Sequence, residues 1–109
     1  MRTKALCTFY PELYIGDSVK GVTRIKWRLK HGSGQFSIWC VLSAPWTNER
    51  LAIIHSAFLQ QPAMREHPAK VYGIATSKAE AKKLIVRISE DASGAGMEGR
   101  LKGYLDSRW

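Results

Sequence analysis

Positions 77–92 constrain this chain more than any others. Ser77-Lys78-Ala79-Glu80 has the spacing of a capping box, in which a serine and a glutamate three residues on satisfy each other's backbone N–H groups at a helix N-terminus. Behind it Ala81, Leu84, Ile85, Ile88 and Ala92 recur at helical spacing as one apolar stripe. Ser93-Gly94-Ala95-Gly96 ends the run, because glycine suits the left-handed residue with which many helices close. Such a helix has to bury its stripe against another layer. Most of the remaining chain reads as strand, so the expected fold class is α+β: an antiparallel sheet of about four to five strands with a central hairpin, one face covered by this C-terminal helix. Residues 1–109 read as a single domain, with no repeats or low-complexity tracts.

Residues 4–10 are β-prone and end at Pro11, which predicts a short first strand. Gly16-Asp17-Ser18 and Gly21 mark a turn. From Val22 to Lys30 the residues alternate: Thr23, Ile25, Trp27 and Leu29 on one side, Arg24, Lys26, Arg28 and Lys30 on the other. His31-Gly32-Ser33-Gly34 is turn chemistry, and residues 35–43 are again aromatic and β-branched. The two runs predict a hairpin that pairs Leu29 with Phe36, Trp27 with Ile38 and Ile25 with Cys40 on one face, and Lys26 with Trp39 on the other. Residues 51–59 fit a helical stripe (Leu51, Ile54, His55, Phe58, Leu59) as well as an alternation (Leu51, Ile53, His55, Ala57). The preferred reading is a strand over 50–55 that passes into an irregular or short helical stretch, broken by Pro62 and Pro68. A further strand is expected over 70–75 and a last short helix through Met97, Leu101, Tyr104 and Leu105. Leu84, Ile85 and Ile88 are expected to pack against Ile25, Trp27, Leu29 and Ile38.

Charge is the first guide to function. The chain carries a formal net charge of +8, which draws it toward polyanions before any motif is considered. On a strand, alternate residues lie about 6.6–6.8 Å apart, close to the spacing of phosphates in an extended nucleic-acid strand. Arg24, Lys26, Arg28 and Lys30 are therefore expected to follow a backbone, with Trp39 among them to stack a base. Four cations on an outward strand face also keep a sheet soluble and discourage edge pairing. Trp39 has a second reading as well, in a core on the other side of a sheet covered on both faces, with the cations snorkelling around it.

Other features read as structural. Gly94-Ala95-Gly96-Met97-Glu98-Gly99 matches the dinucleotide-binding glycine pattern, but a helix precedes the glycines where that motif needs a strand, so a helix stop and turn explain them. Cys7, Cys40, His31, His55 and His67 show no zinc-module spacing, and no metal or other cofactor is expected. Cys7 and Cys40 read as buried small hydrophobes, His31 as a turn residue beside the basic patch, and His55 as a hydrogen-bonded core histidine. No nucleophile elbow, reactive cysteine or apolar-flanked carboxylate pair is present, and the chain is not read as an enzyme. No apolar run approaches the roughly 18 residues of a membrane span, and no secretory leader is recognisable, so a cytoplasmic protein is expected.

The stretch His55-Ser56-Ala57-Phe58-Leu59-Gln60-Gln61, with Arg65-Glu66, Tyr72-Gly73-Ile74-Ala75 and the helix over 77–92, resembles small uncharacterised proteins of bacterial genomes and their mobile elements, over about a third of the chain. The resemblance implies an accessory role, such as a phage or mobile-element product acting on nucleic acid or on a host defence complex. It carries no activity over to any residue.

The expected function is thus non-catalytic binding of an anionic partner, single-stranded nucleic acid or a nucleotide. A second class is a protein-interaction module or inhibitor acting on a host protein or nucleoprotein complex, anchored by aromatics such as Trp46, Tyr72, Tyr104 and Trp109. A third is a sequestering pocket for a small nucleotide at an oligomer interface.

Overall fold

The capped helix forms where its signals stand. A computed structural model describes residues 7–31, 38–43, 50–60 and 68–109. In it Ser77 is the N-cap of a helix over Lys78–Gly94, and the Ser77 side chain accepts the Glu80 N–H at 3.1 Å. Glu80 does not reach back to the cap residue itself. Its carboxylate accepts from Thr76 N–H (2.9 Å) and Thr76 Oγ1–H (3.2 Å), and from Ser18 N–H (3.0 Å) in the turn after the first strand. The hydrogen bond from the Thr76 backbone is the largest of the influences that hold its carboxyl below the ordinary value of 4.5. At the far end Met97 N–H bonds the Ala92 carbonyl at 2.7 Å and Gly96 N–H bonds that of Ser93 at 3.0 Å, with Gly96 at φ +76°. This is the Schellman arrangement, which accounts for the glycine-rich stretch.

The chain runs β1 (Cys7–Ile15), α1 (Val22–His31), β2 (Trp39–Ser43), β3 (Ala52–His55), a 3-10 turn (Ser56–Gln60), β4 (Ala69–Ala75), α2 (Lys78–Gly94) and α3 (Leu101–Ser107). The strands form one sheet in the order β1-β4-β2-β3. β1 pairs with β4 in parallel, whereas β2 is antiparallel to both β3 and β4. The architecture is α+β with a four-stranded mixed sheet, in place of the purely antiparallel one expected.

The largest departure is at 22–30, which is helix and not strand. Val22, Ile25 and Leu29 stand at i, i+3 and i+7, one side of a helix with about 3.6 residues per turn. Leu29 is 3% exposed, and Val22 and Ile25 pack beside it. Trp27, inward in the strand reading, is 57% exposed. The central hairpin and its cross-strand pairs therefore do not form. β2 pairs instead with β3, Trp39 opposite His55 and Val41 opposite Ile53. The turn expected at 32–34 and the residues before Ile38 lie outside the described residues.

β1 also passes through Pro11, where the sequence predicts an end. Phe9 stands opposite Val71 but Tyr14 opposite Gly73, so Pro11 falls in a bulge of an edge strand and needs no ladder donor there. β3 and β4 occupy the stretches expected of them, and the 3-10 turn is the short helical piece expected after β3.

Two apolar clusters separate the layers. On one face α1 covers Cys7, Cys40, Leu42, Val71 and Ile74. On the other α2 and α3 cover Tyr10, Val41, Tyr72 and Ala75 with Ala81, Leu84, Ile88, Ala92, Tyr104 and Leu105. Helices thus lie on both faces of the sheet, and Leu84 and Ile88 are on the opposite face from Ile25, Leu29 and Ile38, correcting the packing expected of them. A bulge in β4 adjusts its alternation. Leu42 faces Val71 and Val41 faces Gly73, leaving Tyr72 extra, so that Tyr72 and Gly73 both address α2.

The bridge from Glu80 to the β1–α1 turn makes a prediction. A carboxyl held below its ordinary value adds stability that is present above that value and lost as pH falls through the lowered one. The advantage of wild type over Glu80→Gln in urea denaturation should therefore be full at neutral pH and vanish in acid below the carboxylate range. An advantage independent of pH would show that the charge plays no part in the bridge.

Candidate functional site

The cations that stand out in the sequence gather on one helix. Gly21, at φ +69°, turns the chain into α1, and Ile25 N–H bonds the Gly21 carbonyl at 3.0 Å to close the first turn. With Val22, Ile25 and Leu29 turned to the sheet, helical spacing puts Thr23, Arg24, Trp27 and His31 on the solvent side. Arg24 and Arg28, four residues apart, run along one flank, and Lys26 and Lys30 along the other. The Lys26 and Lys30 ammonium groups sit 5.5 and 5.8 Å from the centroid of the Phe9 ring on β1, so their stems lie along apolar surface while the charges face outward. Arg28, Lys30 and His31 in the last turn also complement the negative end of the helix dipole.

Four cations in an alternating row on a strand have become two pairs flanking a helix. Between Asp17 and Glu49 the chain has Lys20, Arg24, Lys26, Arg28, Lys30 and no acidic residue, so positive potential accumulates over this layer whatever its secondary structure. Of the six acidic residues in the second half, Glu66 lies outside the described residues, and Glu80, Glu90, Asp91, Glu98 and Asp106 fall on α2, α3 and the turn between them. The ion pairs seen among the described residues, Lys102–Asp106 (2.7 Å) and Arg108–Glu12 (3.4 Å), both involve α3 or its C-terminal cap.

Trp39 does not join the cations. Its half-buried side chain packs with the α2-side cluster and meets the His55 ring edge-on at 5.2 Å and 84°. This is the second-core placement, with the sheet between Trp39 and α1. The exposed aromatic among the cations is Trp27. His31 stacks on its indole at 4.5 Å and 24°, and His31 Nδ1–H donates to the Trp27 carbonyl at 2.8 Å. Sequence reasoning missed Trp27 as a surface group and His31 as its neighbour. The signal was present, because a stripe of Val22, Ile25 and Leu29 leaves Trp27 outside and places His31 one turn further along the same side.

Elsewhere the polar groups have structural partners. His55 Nδ1 accepts the Ala57 N–H at 3.1 Å and so holds the start of the 3-10 turn. Burial pushes the Cys7 and Cys40 thiols up to about 12, which keeps both protonated and unreactive at neutral pH. Tyr72 O–H donates to Asp106 Oδ1 at 2.6 Å and stands 3.3 Å from Ser43 Oγ, which is left to act as donor to it. Burial pushes the Tyr72 hydroxyl up, and its bond to Asp106 adds to this. Burial also works to raise the Asp106 carboxyl, but the bonds from Lys102 and Tyr72 outweigh it and leave the group below its ordinary value. Tyr72 and Tyr104, two of the aromatics considered as partner anchors, are buried. Trp109 packs edge-on against Tyr10 and Tyr72 at 5.8 and 5.6 Å, and Trp46 lies outside the described residues.

A groove of about 460 Å³ runs between the β1–α1 turn and α2, lined by Gly16, Asp17, Ser18, Glu80, Lys83 and Arg87 among others. Its carboxylates offset its cations, and Glu80 is committed to the turn. Among the described residues no group of three or more His, Cys, Asp or Glu side chains is placed to hold a metal ion, and no helix is long and apolar enough to cross a membrane. Among the described residues the outer face of α1 is where the most exposed aromatic, Trp27, lies in a run of cations with no acidic residue, and no protein-family model, curated protein or solved structure matches the chain to supply a reading from elsewhere.

Proposed function

We propose that this protein is a non-catalytic nucleic-acid-binding protein that engages the phosphate backbone through the outer face of α1. The observation that supports this reading is a helix carrying Arg24, Lys26, Arg28 and Lys30 with no acidic residue, seated on the sheet by Val22, Ile25 and Leu29. Because the apolar stripe fixes the helix, the backbone that carries the cations is ordered before binding and adds no ordering cost of its own. Their two flanks are separated by the Thr23–Trp27 ridge, so a strand crossing the helix would meet cations on either side of that ridge. Neutralising phosphates releases condensed counterions, which makes the affinity depend steeply on salt. The net charge of +8 adds long-range attraction.

Fluorescence-anisotropy titration of labelled oligonucleotides across a salt series tests this. The comparison is between wild type and Arg24→Gln/Lys26→Gln/Arg28→Gln/Lys30→Gln, with folding checked by circular dichroism. Glutamine keeps a helix-compatible stem and removes the charge. Affinity at about 0.15 M salt should fall at least tenfold, and the slope of log affinity against log salt should flatten by about 0.7 for each single-strand phosphate that the variant leaves unneutralised. Equal binding by a folded quadruple variant, or no binding by wild type, would remove α1 as the interface.

A further inference from the structure

Folding alone does not call for a tryptophan at position 27. Val22, Ile25 and Leu29 already supply the stripe that seats α1, and Trp27 is a large aromatic more than half in solvent. The indole is nevertheless held, since the His31 imidazole lies on it at 4.5 Å and 24° and is itself tied to the Trp27 carbonyl at 2.8 Å. A flat, braced aromatic thus stands on the helix ridge between the Arg24/Arg28 flank and the Lys26/Lys30 flank. An aromatic among cations is the arrangement that stacks nucleobases without reading their identity.

We infer that the Trp27–His31 stack is a platform for an unpaired base, so that the nucleic acid taken by α1 is single-stranded. This rests on the reading of α1 as a nucleic-acid interface and specifies its substrate class. A duplex shows base faces only at its ends, and in its grooves it shows base edges. Edges are read by asparagine or glutamine at adenine and by arginine at guanine; α1 has Arg24 and Arg28 but no asparagine or glutamine, so of these edge readers it offers only the one that also serves phosphate. At about 1.5 Å per residue the helix is about 15 Å long, which suits a few nucleotides of an extended strand with one base at its centre.

The test separates base from phosphate. Wild type and Trp27→Ala are titrated with an oligothymidylate of roughly a dozen nucleotides, with an abasic chain of the same length and charge, and with a long duplex. Wild type should prefer the oligothymidylate to both, and Trp27→Ala should lose about tenfold or more in affinity for it while binding the abasic chain as wild type does. Tryptophan fluorescence should be quenched by the oligothymidylate in wild type and much less so in Trp27→Ala. His31→Ala, which removes the brace and leaves the indole, should show a smaller loss of the same kind. An oligouridylate run in parallel separates RNA from DNA as the source of the strand. If the abasic chain binds as tightly as the oligothymidylate, or Trp27→Ala keeps full affinity for the latter, the platform is refuted while the cationic interface stands. If the quadruple glutamine variant also binds unchanged, the interface falls with it.

Discussion

Leu29→Ala should lower the free energy of unfolding by about 2–5 kcal/mol, whereas Trp27→Ala, a larger truncation two residues away, should change it by less than about 1 kcal/mol. Leu29 is 3% exposed and lies in the cluster formed by Cys7, Cys40, Leu42, Val71 and Ile74. Removing its side chain leaves a cavity between α1 and the sheet that neither layer can easily close. Trp27 loses mainly its stacking on His31, one turn away. The contrast is diagnostic because a strand over 22–30 would turn both side chains to the same face and make both substitutions costly. Urea denaturation with an unchanged m-value measures the difference, which corresponds to roughly 4–8 °C of Tm per kcal/mol for a domain near this size. Comparable losses for the two variants would rule out the helical register.

The second large effect is expected where β4 bulges. A Cβ on Gly73 would stand 3.1 Å from Leu84 Cδ1 and 3.2 Å from the Tyr14 carbonyl oxygen. Gly73 is not among the glycines with positive φ, so the penalty for Gly73→Ala comes from crowding, about 1–3 kcal/mol. Leu84→Ala, at a residue 1% exposed in the centre of the α2 face, should cost about 2–5 kcal/mol. The two substitutions touch the same space, since one adds a methyl where the other removes the group it strikes. The double variant should therefore fall short of the summed losses by at least about 0.5 kcal/mol. The shortfall has a ceiling, because the Tyr14 carbonyl remains in place. Strict additivity in a double-mutant cycle would mean that Gly73 and Leu84 do not press on one another.

The same residues show where the sequence was legible. The helix over Lys78–Gly94 was readable because cap, stripe and stop all agree at Ser77, Leu84–Ile88 and Gly96. Residues 22–30 satisfied two periods at once. Ile25 and Leu29 belong to both, and the choice turns on whether Val22 or Trp27 is their companion. What decides it is the second apolar face of the sheet, assembled from β1, β2 and β4, which needs a covering layer and is not visible in any local window. Pro11 misled for a similar reason, since a proline that would stop a central strand is tolerated in the bulge of an edge strand. The cations were legible as a group because a run without acidic residues is basic in any conformation. Their arrangement, and the exchange of Trp39 for Trp27 as the aromatic beside them, depended on the helix.

The order of the sheet also sets the order in which α1 can be assembled. β2, β3 and β4 pair as antiparallel neighbours of moderate separation along the chain, whereas β1 joins through parallel pairing of Cys7 with Ala69 and Ile15 with Ile74. That pairing closes the longest loop among the strand pairs, and distant pairings of this kind slow folding because chain entropy is given up before the pairing stabilises anything. α1 lies inside that loop, with its stripe against Cys7 on one side and Cys40 on the other. Its cationic face is thus complete only when β1 has docked, and a ligand that binds this face would add its binding free energy to the β1–β4 pairing, clamping that edge of the sheet.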